Sequence, residues 1–365
     1  MTARPGSRAE PVRLGIVGLG ATSGWAARSH VPATRLVPQV RVVACASSSP
    51  ASAQAAAQAH GIGRWHPDAR SLVHDPDVEV VVVSVKVPEH RDLVLRAIEA
   101  GKHVYCEWPL ARDAEEAQEL LTAARTAQVQ TFVGLQSRWA PGVAEARRLV
   151  AAGALGRVLD VQVTGHGLVG SPTQDDRGAY QLDPANGAHL GTIALAHVVD
   201  ALDEVVGPWT VASGVRSTQH PDVQLRQSGG HVGSTSPDHL AVTGLAGTAV
   251  VSVHLRPGVP SDGLPGLRWE VRGSAGSLTI VGDLALPEMT RTSLELRTGG
   301  STETRSWGDL VAGAPGDDPV VVPLVAAWTE VAAAVRSGGT AVPGFDRAVA
   351  LHERFAAIRW ADTGA

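Results

Sequence analysis

The chain has 365 residues, 44% of them hydrophobic and 18% charged, which is enough for two domains and typical of a soluble globular protein. Its formal net charge of −5 provides no basic field, so direct nucleic-acid binding is not expected. The opening MTARPGSRAEP lacks the apolar run of a signal peptide, and no stretch is long enough for a membrane span, so a cytoplasmic protein without membrane contact is expected. Cys45 and Cys106 are too few for a disulfide framework and read as buried thiols. The histidines are scattered without metal-ligand spacing, and no metal site is expected.

Residues 1–11 read as a flexible N-terminus. VRLGIV (12–17) is an apolar strand that runs straight into GLGATSG, with helical signals over 24–38. VRVVACA (40–46) is a second strand, followed by an Ala-rich helix over 50–60. VEVVVVSV (78–85) precedes a helix over 88–100 that stops at Gly101. KHVYCE is the next strand, DAEEAQELLTAARTAQ a helix capped by Asp113, and QTFVGL (130–135) a further strand. Alternating helices and continuously apolar strands predict a parallel sheet covered on both faces, a doubly wound Rossmann domain over 12–135.

The remainder changes character. VLDVQVTGHG, HLAVTGLAG, TAVVSVHLRPG, LRWEVRGSAG and SLTIVGD have strand periodicity punctuated by Gly and Pro, with a helix over 187–205 between the first two. An α+β domain with a large, mostly antiparallel open sheet is predicted over 136–345, with a low-complexity loop over 211–236. Helices are expected over 320–337 and 346–360, and the last stretch, 346–365, is expected to pack back on the body. TAVVSVHL and SLTIV carry apolar residues enough for both sheet faces, which predicts a homodimer or homotetramer through the outer one.

Gly18-Leu19-Gly20 follows a strand and opens a helix, the context in which glycines let backbone N–H groups approach a pyrophosphate. The third glycine is displaced, with Ser23 at its place and Gly24 after it. Gly18, Gly20, Ala21, Thr22 and Ser23 are therefore candidate cofactor contacts. No Asp or Glu lies between Glu10 and Asp68, so the second strand has no carboxylate for a ribose 2′-hydroxyl. It ends in Ser47, Ser48 and Ser49, small hydroxyls that leave room for a 2′-phosphate. Ser47 and Ser48 join the candidate contacts, with Arg64 and Arg41 as possible charge partners, and both NADP and NAD stay open.

The strand-end segment HVYCEWPL follows a Gly101-Lys102 turn. With EAGKHVYCEWPLARDAEEAQEL, VGLQSRWAPGVAEARRLVAAGALGRV and AHVVDAL, the chain resembles the glucose–fructose oxidoreductase/inositol dehydrogenase (Gfo/Idh/MocA) family over essentially residues 12–362. The resemblance implies NAD(P) in the first domain and a sugar, cyclitol or related molecule between the nicotinamide and the second domain's sheet. On the cofactor side it adds Val85, Lys86, His90, Glu107, Trp108 and Gln136; on the substrate side it adds Trp25, Trp108, Arg138, Tyr180, Asn186 and His197.

The departures from the family pattern concern chemistry. The family usually reads Glu-Lys-Pro where this chain has Glu107-Trp108-Pro109, and that lysine is its expected proton carrier. Four residues before His197, where an Asp is usual, stands Ile193, and Val85-Lys86 replaces a threonine–proline pair. GLGATSGWAARSHVPA, CEWPL, LQSRWAP and SPDHL share these departures with the galactose-repressor branch of the family, whose nucleotide-binding members regulate transcription through protein contacts. Oxidising a carbinol requires a base for the hydroxyl proton, and indole cannot ionise. His197, Lys86 and Tyr180 are the candidate substitutes. Trp108 itself reads as a flat platform for a ligand or as a plug between domains. The expected function is an NAD(P)-dependent oxidoreductase of a sugar-like compound; the alternatives are a catalytically silent nucleotide-binding regulator and a biosynthetic ketone or imine reductase.

Overall fold

A computed structural model describes residues 10–167, 170–258, 260, 263–339 and 342–362. Six parallel strands form the first sheet: β1 (Val12–Val17), β2 (Val40–Ala46), β3 (Arg64–His66), β4 (Val80–Val83), β5 (His103–Glu107) and β6 (Thr131–Gly134). Their order is β3-β2-β1-β4-β5-β6, the doubly wound arrangement that the alternation predicted. β1 and β4 are adjacent in the sheet but lie either side of the chain reversal, so the crevice at their carboxyl ends is the natural ligand position. Ser49 caps helix Pro50–His60 in a reciprocal capping box with Ser52, which fixes where the chain leaves β2.

The second domain supplies β7 (Val158–Gly167), β8 (Thr173–Gln174), β9 (Thr210–Ser217), β10 (Asp222–Leu225), β11 (His231–Gly233), β12 (His239–Ala246), β13 (Ala249–Pro257), β14 (Leu267–Gly273), β15 (Gly276–Gly282), β16 (Ser293–Thr298) and β17 (Ser301–Arg305). A last strand, β18 (Arg359–Asp362), adds to the edge. The large sheet runs β17-β16-β15-β14-β7-β13-β12-β9-β18 and is antiparallel except where β7 meets β13 and β9 meets β18. Its inner face is apolar, with Val161, Val163, Val251, Val253, Trp269, Val271 and Ile280 all buried.

Four expectations are revised. Segment 211–236 is not a loop: most of β9 and all of β10 and β11 lie in it, and β10 pairs with both β11 and β8. Helix Val321–Ser337 was expected to go with the second domain, but Leu324, Ala327, Trp328 and Val331 share one core with Leu14, Ile16, Val80 and Val82 of the nucleotide sheet. The C-terminal stretch ends in a strand rather than a helix, because Arg359–Asp362 pairs with β9. The outer face of the large sheet is not a broad apolar surface. It carries an ion-pair ladder, Arg268–Glu270, Arg272–Glu270 and Arg297–Glu295, with exposed Leu245 and Val250 paired at one end, so apolarity gives no ground for association there. No helix among the described residues is long and apolar enough to cross a membrane.

Candidate active site

The glycine turn fits a pyrophosphate. Gly18 has φ +92°, and a Cβ there would stand 2.2 Å from the Ser84 carbonyl oxygen. A Cβ on Gly20 would stand 2.2 Å from the Ser23 carbonyl oxygen. Both positions require the absence of a side chain. His60 Nε2 lies 2.8 Å from the Gly20 carbonyl and anchors the turn from the end of helix Pro50–His60. The amides of Gly20, Ala21, Thr22, Ser23 and Gly24 have no protein acceptor among the described residues, leaving a row of N–H donors for an anion. Trp25 opens the short helix that follows; it is half-buried on the nucleotide-domain core, and its Nε1 has no acceptor among the described residues.

Ser47 is half-buried and Ser48 exposed just past β2, while Ser49 is engaged in its cap. The arginines proposed as phosphate partners are placed otherwise. Arg64 is bound to both carboxylate oxygens of Asp75, at 2.6 and 2.7 Å, and to Asp77. Arg41 sits at the amino end of β2, beside Arg13, away from the crevice.

At the carboxyl ends of β4 and β5, several expected contacts are committed to protein partners. Buried His90 has Nε2 3.1 Å from the Val85 carbonyl and Nδ1 2.9 Å from the Pro109 carbonyl, and burial depresses its pKa. A neutral ring carries one N–H, so it donates to one of these carbonyls and packs against the other. Glu107 lies 2.5 Å from His30 Nε2 and accepts from Gln136 Nε2 at 2.8 Å. Trp328 Nε1 donates to His30 Nδ1 at 3.1 Å. Indole is only a donor, so His30 carries its hydrogen on Nε2, facing Glu107. Trp108, joined to Pro109 by a cis peptide bond, is 6% exposed; its Nε1 donates to the Thr192 carbonyl at 2.8 Å and its ring lies 4.7 Å from that of His352. The platform expectation for Trp108 gives way to the plug, because neither its N–H nor its faces are open.

The candidate proton carriers divide into two groups. Exposed Lys86, just past β4, holds its Nζ 5.2 Å from the ring centroid of Tyr180, whose phenol pKa is raised by burial. Asn186 Nδ2 donates to the Tyr180 carbonyl at 2.7 Å and steadies that turn. Arg177, three residues before Tyr180, donates to Ser23 Oγ at 2.9 Å, tying the second domain to the glycine turn. His197 is elsewhere. It sits on helix Ile193–Val206, with Nδ1 3.1 Å from Glu288 Oε1, at an angle outside that of a regular hydrogen bond. Glu288 also accepts from Ser137 Oγ.

Arg138 was expected at the substrate and is engaged instead: it binds buried Asp200 through two hydrogen bonds, at 2.8 and 2.6 Å, and pairs with Glu204 at 3.0 Å. Sequence reasoning passed over His30, Arg177, Asp200 and Glu288. GWAARSHVPA and AHVVDAL contain the first and third, whose roles need the fold to be visible; nothing around Glu288 in the sequence marks it.

A family model described as an oxidoreductase family with an NAD-binding Rossmann fold matches residues 12–135, and one for the Gal80p C-terminal domain matches residues 141–282. Dehydrogenase aclE of Aspergillus oryzae is 34% identical over 310 residues, which cover 82% of this chain and 84% of that protein. The galactose/lactose metabolism regulatory protein GAL80 of Saccharomyces cerevisiae is 26% identical over 302 residues, covering 77% of this chain and 69% of that one. A solved super-repressor mutant of Gal80p superposes with a TM-score of 0.85 over 95% of each chain at 23% identity. Levoglucosan dehydrogenase in complex with NADH and levoglucosan superposes with a TM-score of 0.80 over 96% of each chain, also at 23% identity. The chain belongs to the Gfo/Idh/MocA family of oxidoreductases, with an NAD-binding Rossmann domain followed by a Gal80p-like C-terminal domain.

Proposed function

We propose that the protein is an NAD- or NADP-dependent oxidoreductase that oxidises a sugar or related polyhydroxylated compound. The observation that carries this reading is the contact of Lys86 with Tyr180, an ammonium and a phenol from two domains meeting beside the glycine turn. Two relatives support it by name: one is a dehydrogenase, the other a levoglucosan dehydrogenase solved with NADH and sugar. The amides from Gly20 to Gly24 would hold the pyrophosphate, and Ser47 and Ser48 would face the ribose. When bound, the nicotinamide supplies a hydride acceptor for the carbinol carbon. Lys86 and Tyr180 donate hydrogen bonds to substrate hydroxyls and orient the ring, while the His197 imidazole is the group suited to take the hydroxyl proton.

The test is a titration of purified protein with NAD and NADP, followed by a screen of pyranoses, anhydrosugars and cyclitols for formation of reduced nicotinamide. Turnover on at least one compound, lost or strongly weakened in Lys86→Met, is expected. Nucleotide binding with no turnover on any compound favours the second reading, a nucleotide-binding regulator. The burial of Trp108 between domains, which leaves no ionisable side chain at position 108, and the similarity to GAL80 are what support that reading.

A further inference from the structure

We propose that Glu288 is a positioning residue for His197, and that the pair forms a carboxylate–imidazole dyad whose free nitrogen, His197 Nε2, takes the hydroxyl proton of the substrate. The proposal rests on the oxidoreductase reading above and names its base. Glu288 lies in the turn Pro287–Met289, between β15 and β16, and is 2% exposed. A carboxylate buried to that degree is costly unless donors surround it. Among the described residues neither Lys nor Arg reaches it: Ser137 Oγ donates to Oε2, and the other donor within reach of Oε1 is His197 Nδ1, at 3.1 Å. The hydrogen of a neutral imidazole then belongs on Nδ1, facing Glu288, and the lone pair on Nε2.

Nε2 is the accessible nitrogen. Nδ1 is sealed from solvent, whereas Nε2 has no partner among the described residues and keeps solvent contact. The dyad also stands at the catalytic end of the nucleotide sheet. Ser137, which holds Glu288, follows Gln136, which holds Glu107 at the end of β5. The family pattern would place an Asp at position 193, one helical turn before His197, where this chain has Ile193. The carboxylate missing from that helix is thus supplied from a different part of the chain, the turn that carries Glu288. Arg138, Arg147, Arg347 and Arg354, cations packed on the same helix, are bound to its carboxylates Asp200, Asp203 and Glu204, so they do not oppose a charge on His197 directly.

In the proton step, the substrate O–H bond breaks, an N–H bond forms at His197 Nε2, and the oxygen's electron pair closes the carbonyl; a bound nicotinamide would supply the acceptor for the hydride that leaves the carbinol carbon. Glu288 stabilises the resulting imidazolium, which returns its proton to water.

Nitrogen-15 NMR of histidine-labelled full-length protein, without substrate, reads the tautomer directly, with His197 assigned through His197→Gln. The Nδ1–H tautomer is expected in the wild type and its loss in Glu288→Met, with Glu288→Asp restoring it. Melting curves and nucleotide titration establish that each variant is folded. On the substrate found in the screen, kcat should fall about 10²-fold in Glu288→Met with KM within a few-fold, the scale of a general base losing its orientation. Wild-type His197 as the Nε2–H tautomer, or a folded Glu288→Met with unchanged tautomer and kcat, overturns the dyad. If no compound is turned over, the oxidoreductase reading fails by itself, and the tautomer alone then decides whether Glu288 orients His197.

Discussion

Trp108 gives its indole N–H to the carbonyl of Thr192 at 2.8 Å, a contact between the end of β5 and the start of helix Ile193–Val206 in the other domain. A family position usually reserved for a proton carrier is occupied here by a large apolar side chain that joins the two domains. Trp108→Ala opens a cavity at that junction and should destabilise the protein by about 3–5 kcal/mol. Trp108→Phe keeps most of the volume and loses the hydrogen bond, at about 1–3 kcal/mol for the unpaired carbonyl. Chemical denaturation measures both. Nucleotide affinity of the folded variants should stay within about twofold; a large loss in Trp108→Phe would restore the platform reading.

Asp200 is the buried centre of a second junction, with Arg138 on one side and Arg347 on the other. Asp200→Asn removes the charge that both guanidinium groups were ordered around. Leaving a buried charge wholly unpaired costs about 3–5 kcal/mol; Arg138 keeps Glu204 and Arg347 keeps Asp203, so the expected cost is about 2–3 kcal/mol. The denaturation midpoint should drop accordingly, while Arg147→Ala, whose partner Glu204 is more accessible, should change it by about 1 kcal/mol or less. Equal effects of the two would show that Asp200 is not the organising charge.

Ribose selectivity follows from what surrounds Ser47 and Ser48. No carboxylate from β2 excludes a 2′-phosphate, yet Arg64 is held by Asp75 and Asp77 and cannot neutralise one. NADP and NAD should therefore bind within about tenfold of each other, a difference of about 1.4 kcal/mol. Ser47→Asp should move the balance toward NAD, because a carboxylate there binds the 2′-hydroxyl and repels a phosphate. Calorimetric titration with both nucleotides checks this, and a Ser47→Asp protein that still favours NADP would refute it.

The nucleotide domain was legible because its signals are local. Apolar strands such as VVVV, the glycine turn and the Asp113 cap each specify their element within a few residues. What stayed hidden depends on partners distant in sequence. Arg138 and Arg64 read as free cations until the fold brings Asp200 and Asp75 to them. Glu288 and His197 are 91 positions apart, and nothing in either neighbourhood announces the other. Segment 211–236 was misread because β10 and β11 are short and polar, and they gain order from pairing with each other and with β8 rather than from burying an apolar face.

Two histidines behind Trp108 give the protein a distinct acid sensitivity. His189 and His352 line one cavity of about 210 Å³, together with Arg112, Arg216, Leu240 and Trp360. Burial depresses both to about 4, and His352 Nε2 has no partner among the described residues. In an unfolded chain histidine titrates near 6.5. The folded pKa lies below the unfolded one, so between the two values the unfolded state binds more protons. The stability from these neutral rings is therefore complete above about pH 6.5 and is lost as pH falls toward 4, with a slope approaching 1.4 kcal/mol per pH unit for each histidine. Asp75 acts in a lower window. Burial alone would raise its pKa, but hydrogen bonds from Arg64, the Asp77 amide and His66 bring it to about 2, so its contribution persists until pH falls below about 4. Urea unfolding between pH 7.5 and 4.5 isolates the histidines. His352→Leu should flatten the slope by about one proton and should leave the protein relatively more stable at pH 5 than at pH 7.5. An unchanged slope in that variant would mean that His352 is not kept neutral by the fold.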